Sequence, residues 1–269
     1  MPVFPTPRGT RPADSPAAST ARCFALIPSA GVGARARTED QPAWPKQYQA
    51  LCGRPVLAHT LAAFAALGTA LSGVAVVLSP EDSVWAKVLP ELAAPSAGHA
   101  VTLLHCGGAT RADSVRRGLA AWCAQPHGPQ PHDWVLVHDA ARCLVTPAQI
   151  QALMAACLDD AVGGLLALPL ADTLKSELDG RASHTLERAH KWLAQTPQMF
   201  RFGALAQALD AAVARGVAVT DEASAMEAQG LAPRLVEGSA HNFKITYPQD
   251  FSLAEAVLHA RRLAKKEQP

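Results

Sequence analysis

Residues 28–35 read Pro-Ser-Ala-Gly-Val-Gly-Ala-Arg, a run in which Gly31, Gly33 and their small neighbours allow backbone N–H groups to close around a bulky anion. Two cations follow, Arg35 and the Lys46 of Trp44-Pro45-Lys46-Gln47-Tyr48. Arginine offers phosphate oxygens a planar fork and lysine a compact charge, so this set could hold a phosphorylated ligand and neutralise charge developing on it. Further along, Asp139 in Val-His-Asp-Ala-Ala-Arg supplies a hard oxygen suited to a divalent cation such as Mg²⁺. Each feature also has a plainer reading: a tight turn, two solvated cations, and a cap for the turn after Asp139. The glycine run is not a P-loop, because no Gly-Lys-Ser/Thr follows, and it lacks the third glycine of a dinucleotide fingerprint.

The elements that must carry these residues alternate. Short apolar runs at 23–28, 74–79, 101–105, 134–138 and 164–168 predict strands buried on both faces. Segments of helical period at 56–67, 83–92, 111–124 and 147–158 lie between them. This pattern predicts an α/β fold, a Rossmann-like, mostly parallel sheet with helices on both faces. Asp139 then sits at the C-terminal edge of a strand, where ligands of such sheets collect. Residues 169–196 are polar and too long for an ordinary connection, and predict a protruding arm. Helices over 202–215 and 221–229, a strand at 234–237 and a helix over 248–266 complete the chain. The domain reading is a disordered tail over 1–21, rich in Pro, Ser and Thr, and a single domain over 22–269.

Composition excludes several classes. With 24 Lys plus Arg against 23 Asp plus Glu the formal charge is +1, too balanced to coat nucleic acid or an anionic membrane, so an anionic ligand must be gripped locally. The cysteines at 23, 52, 106, 123, 143 and 157 form no metal or disulfide spacing and read as buried thiols of a reducing compartment. Residues 55–80 carry no charge, but Gly68, Thr69, Ser72 and Gly73 break them into a helix, a turn and a strand rather than a membrane span. The tail has no apolar run of a secretory signal, so a cytoplasmic location is expected.

The order of strand, small-residue loop, Arg35, Pro-Lys-Gln-Tyr and then Gly53-Arg54-Pro55-Val56-Leu57 resembles the sugar-nucleotide-type nucleotidyltransferases. Further motifs are similar to one branch, the 2-C-methyl-D-erythritol 4-phosphate cytidylyltransferases: Gly107-Gly108-Ala109-Thr110-Arg111-Ala112-Asp113-Ser114, Asp139-Ala140-Ala141-Arg142, Ala171-Asp172-Thr173, Thr196-Pro197-Gln198, Thr220-Asp221-Glu222-Ala223, and Asn242-Phe243-Lys244. The resemblance runs from about Cys23 to the last helix. It implies attack by a substrate phosphate on the α-phosphorus of CTP, with pyrophosphate expelled and no covalent enzyme intermediate. It also implies roles. Arg35 and Lys46 are catalytic. Ser29, Ala30, Gly31, Gly33, Gly108, Arg111, Ser114, Asp139 and Lys244 hold the nucleotide, with Mg²⁺ on Asp139. Thr173, Arg188, Thr220 and Lys244 hold the polyol phosphate, and a β-arm crosses to the neighbouring protomer, so that a homodimer shares its sites. Arg142 is expected to order the acidic loop, and His138 to be structural.

The sequence departs from that pattern in a longer loop between Arg35 and Lys46, and in Ala109 and His241 where acids are common. The loop leaves the resting position of Lys46 open, and His241 leaves Asp139, Asn242 and phosphate oxygens as metal ligands. Two other functions stay open at this point: the same transfer to another polyol phosphate such as ribitol 5-phosphate, and a catalytically silent nucleotide-binding protein.

Overall fold

The computed structural model describes residues 21–31, 44–90 and 101–266. The tail before residue 21, Gly33, Arg35, most of the long loop before Lys46 and the end of the helix expected over 83–92 lie outside the described residues. Strand β1 (Cys23–Pro28) is an interior strand of a seven-stranded sheet, parallel to β4 (Gly73–Val77) on one side and β6 (Trp134–Val137) on the other. Strand β5 (Val101–Leu104) extends the β4 edge in parallel. Beyond β6 come β10 (Trp192–Arg201), antiparallel to both neighbours, then β7 (Gly163–Pro169) and the parallel edge strand β11 (Arg234–Glu237). The sheet is thus mixed and mostly parallel, as expected.

Alternation along β1 builds a core on each face. Cys23, Ala25 and Ile27 pack with Leu57 and Phe64 of α1 (Val56–Ala65) and Ile150 and Leu153 of α4 (Pro147–Cys157). Phe24 and Leu26 pack with Val115 and Leu119 of α3 (Arg111–Cys123), Leu205 and Leu209 of α5 (Phe202–Ala214), and Met226 of α6 (Glu222–Glu227). A third cluster joins Leu51 of the short β2 (Ala50–Leu51), paired with β3 (Arg54–Pro55), to Ala141, Leu144 and Ile245 and to Ala254 and Val257 of α7 (Gln249–Lys266). It clamps the loop after β6 against the 239–248 loop, and burying each of its Leu, Ile and Val side chains contributes about 1.5–3 kcal/mol.

Two expectations change. The helix expected over 83–92 is reduced to α2 (Trp85–Val88), because Pro90 cannot donate to a helix and disfavours helical backbone at Leu89. The segment 192–201, left without a strand, is β10; Pro197 and the polar Gln195, Thr196 and Gln198 hide it, and its register with β7 shifts between Ala194 and Gln198 to accommodate them. The arm is an exposed hairpin of β8 (Leu174–Leu178) and β9 (Arg181–Leu186), forming a two-stranded sheet of its own.

Candidate active site

A cavity of about 460 Å³ opens at the C-terminal ends of β1 and β6, lined on one side by Pro28 to Gly31, Lys46 and Gln47, and on the other by Gly108 to Arg111, Ser114, Asp139 and Lys244. Its position follows from sheet topology, since loops leaving parallel strands gather at that edge. The loop after β1 is anchored by Gln47, whose amide donates to Ser29 O at 2.8 Å and Gly31 O at 3.0 Å. Ser29 lines the cavity, and its Oγ is buried and makes no hydrogen bond among the described residues, an orphaned group. Opposite, a Cβ at Gly107 would clash with Ala30 Cβ, so the two loops approach as they do only with glycine there, and a Cβ at Gly108 would clash with Asp113 at the start of α3. Ser114 Oγ accepts from Gly108 N at 3.0 Å and donates to Thr110 O at 2.9 Å, which fixes the glycine pair on the start of α3.

Asp139 is the centre of a charge network. Arg111 Nε donates to Oδ1 at 2.6 Å, Lys244 Nζ to Oδ2 at 2.9 Å, and Arg142 Nε stands 3.7 Å from Oδ2. Burial by itself would raise this carboxyl's pKa, but Arg111 and Lys244 outweigh it and hold the group well below the usual carboxylate range. Burial likewise opposes the charge of Arg111, and Glu222 and Asp139 overcome it, keeping the guanidinium above its ordinary pKa. Lys46 Nζ rests on Ile245 O at 2.7 Å, beside Lys244.

The strand-end histidine is closed off from chemistry. His138 is fully buried; its Nε2 meets Arg142 O at 3.1 Å, and since a carbonyl only accepts, that nitrogen carries the proton. Its Nδ1 then accepts from Thr196 Oγ1 at 3.0 Å, and Thr196 Oγ1 accepts from Asp139 N at 3.0 Å. Burial lowers its pKa to about 4, so the ring is neutral near pH 7. Arg142 donates to Asn242 O and Ala194 O, ordering the loops around Asp139.

The structure brings Ser29, Ala30, Gly31, Lys46, Gly108, Arg111, Ser114, Asp139 and Lys244 to one cavity. It does not bring Thr173, Arg188 or Thr220 there. All three are exposed; Arg188 donates to Ala171 O within the arm, and Thr220 N donates to Ser224 Oγ ahead of α6. Asn242 is fully buried, its Nδ2 donating to Gln195 Oε1 and Thr196 O, and does not line the cavity; Asp139 is the hard oxygen that does. No cluster of three or more His, Cys, Asp or Glu suited to a metal occurs among the described residues. An ionised carboxylate facing a space for phosphates fits Mg²⁺, which binds through one or two carboxylates plus substrate phosphates.

Sequence reasoning missed Gln47, Thr196, Gln198 and Glu222. Glu222 is buried and takes Arg111 in two bonds, at 2.7 and 3.0 Å. It stands in the quoted Thr-Asp-Glu-Ala motif, where an acid in the first turn reads as an ordinary helix opening.

Comparison with known proteins agrees with this geometry. A family model described as 2-C-methyl-D-erythritol 4-phosphate cytidylyltransferase (IspD) matches residues 23–260. The enzyme of that name from Paraburkholderia phymatum is 49% identical over 89% of this chain and 97% of its own length. The bifunctional enzyme IspD/IspF of Albidiferax ferrireducens is 56% identical over 93% of this chain, which spans only 57% of that protein. Among solved structures, a 4-diphosphocytidyl-2C-methyl-D-erythritol synthase superposes with a TM-score of 0.75 at 37% identity, covering 88% of this chain and 99% of its own. The Francisella tularensis cytidylyltransferase does so with a TM-score of 0.72 at 32% identity, with the same coverage. The chain belongs to the 2-C-methyl-D-erythritol 4-phosphate cytidylyltransferase family.

Proposed function

We propose that this member of the cytidylyltransferase family transfers the cytidylyl group of CTP to 2-C-methyl-D-erythritol 4-phosphate, giving 4-diphosphocytidyl-2-C-methyl-D-erythritol and pyrophosphate. The observation that carries the reading is one cavity lined by Lys46, Arg111 and Lys244, in which Arg111 and Lys244 hold Asp139 as a carboxylate near pH 7. In the reaction an oxygen of the polyol phosphate attacks the α-phosphorus of CTP, and the bond from that phosphorus to the oxygen bridging to the β-phosphate breaks. Two anions must be held in line while negative charge accumulates between them, so catalysis is positioning plus electrostatics.

The loop Ser29–Gly31, continuing to Gly33, cradles the triphosphate; Ser29 Oγ is the buried donor ready for it. Backbone groups near Ala30 and Gly108 read the cytosine edge, with Ser114 fixing Gly108. Lys46, with Arg35, neutralises the transferring phosphorus. Lys244 bridges Asp139 and the incoming phosphate. Asp139 would hold Mg²⁺ together with phosphate oxygens, and the ion supplies further charge neutralisation. Thr173, Arg188 and Thr220 complete the polyol-phosphate site when the arm packs on a second protomer. Exposed Leu178, Leu186, Trp192 and Leu193 give the arm an apolar surface for that contact. Six free cysteines suit a cytoplasmic setting, and among the described residues no helix is long and apolar enough to cross a membrane.

Pyrophosphate release from CTP with a panel of polyol phosphates tests the reading. Turnover with 2-C-methyl-D-erythritol 4-phosphate, abolished by chelation and restored by Mg²⁺, is expected. Preference for ribitol 5-phosphate would move the chain to another substrate, and no turnover with any would make it a silent nucleotide binder.

A further inference from the structure

Glu222 has a place that nucleotide binding does not explain. It is buried, it is absent from the cavity wall, and its carboxylate grips both terminal nitrogens of Arg111. A two-point grip fixes the plane of a guanidinium, which leaves Arg111 Nε aimed at Asp139 at 2.6 Å. Glu222 is itself held. The Gln198 amide donates to Asp221 Oδ2 at 2.8 Å and its oxygen accepts from Ala223 N at 2.7 Å, so it clasps the residues on both sides. Gln198 in turn pairs in register with Val137, two residues before Asp139. The path closes on itself: Asp139, Arg111, Glu222, the start of α6, Gln198, and back through β6.

We propose that Glu222 is a positioning residue for the transfer reaction, acting through Arg111: it keeps that guanidinium on Asp139 and off the triphosphate. This rests on the reaction proposed above. Arg111 borders a space that receives phosphates, and an unbraced guanidinium would turn toward them, because phosphate oxygens suit its fork as well as a carboxylate does. Asp139 would then lose its strongest partner as the reactants bind. With Glu222 in place, the nucleotide meets a preorganised carboxylate whose orientation is set before binding.

The test is a double-mutant cycle on the full-length chain, measuring kcat, KM for CTP and thermal midpoint for wild type, Glu222→Gln, Arg111→Gln and the double variant. Glu222→Gln is expected to lower kcat by about tenfold or more while KM for CTP changes by less than about threefold. Because Glu222 acts through Arg111, the double variant should be no slower than Arg111→Gln alone. A kcat for Glu222→Gln within about twofold of wild type overturns the proposal. So does a double variant whose losses multiply, since Glu222 would then contact the reactants itself. Should Glu222→Gln fail to fold, comparing the double variant, which leaves no uncompensated buried charge at this pair, with Arg111→Gln decides by the same rule. A wild-type chain that does not turn over CTP sinks the reaction and the role together, whereas an active wild type with an insensitive Glu222→Gln sinks the role alone.

Discussion

The surroundings of Asp139 and the arm are both rich in polar groups and use them oppositely. Around Asp139 the partners close within one chain: Arg111 on Asp139 and Glu222, Lys244 on Asp139, and His138 on Thr196 and Arg142. On the arm, β9 is exposed at every residue, Thr173 and Arg188 face outward, and Trp192 and Leu193 are uncovered. One region is preorganised by its own core; the other leaves its side chains exposed. The proposed function follows the same division, giving the nucleotide half of the reaction to the single chain and the polyol-phosphate half to an assembly.

The largest expected effect breaks the first region. Asp139→Asn removes the carboxylate that Arg111 and Lys244 share; Arg111 keeps its two bonds to Glu222 and Lys244 is partly exposed, so the lost charge-assisted hydrogen bonds cost about 1–3 kcal/mol. It also removes the negative charge proposed to hold Mg²⁺, and turnover should fall roughly 10²- to 10³-fold. Steady-state kinetics with a melting curve checks both, and retention of activity would show that the network is structural only.

Mixing sharpens the second region. Arg188→Ala and Lys46→Ala proteins, each inactive alone, should recover activity on subunit exchange. Random pairing makes half the dimers mixed and restores one of their two sites, so about a quarter of wild-type activity is the expected ceiling for an isologous dimer. No recovery after demonstrated exchange would place Arg188 outside the partner's site.

The smallest effect concerns stability against pH. The folded pKa of His138, lowered by burial to about 4, lies below its unfolded value of about 6.5, so the unfolded chain binds the proton first. Stability from this group is complete above pH 6.5 and is lost as pH falls toward 4, by about 3 kcal/mol in all. His59, also lowered by burial, adds in the same direction. Asp139, whose pKa is depressed instead, contributes stability above the ordinary carboxylate range and loses it only as pH falls below about 3.8. Denaturant midpoints from pH 7.5 to 4 check this, and a flat profile would contradict the buried neutral ring.

What was legible in the chain follows the same division. Apolar runs on β1, β4 and β6 announce strands because burial on both faces leaves no room for polar side chains. The glycine loop, Lys46 and Asp139 were legible because phosphate chemistry calls for those types at a sheet edge, whereas Lys244 was legible only through the family resemblance. Strand β10 was not, since Gln195, Thr196 and Gln198 are polar for the sake of the loops they hold rather than for the strand they form. Glu222 escaped for a related reason: the residue that makes it necessary is Arg111, 111 positions away, and only the folded chain puts them together.

A crystal structure with CTP and Mg²⁺ bound tests the central claim most directly. The triphosphate should lie on the Ser29–Gly31 loop within hydrogen-bonding reach of Lys46, with Asp139 facing the metal and Arg111 still on Glu222. A triphosphate bound elsewhere on the surface, with this cavity filled by solvent, would contradict it.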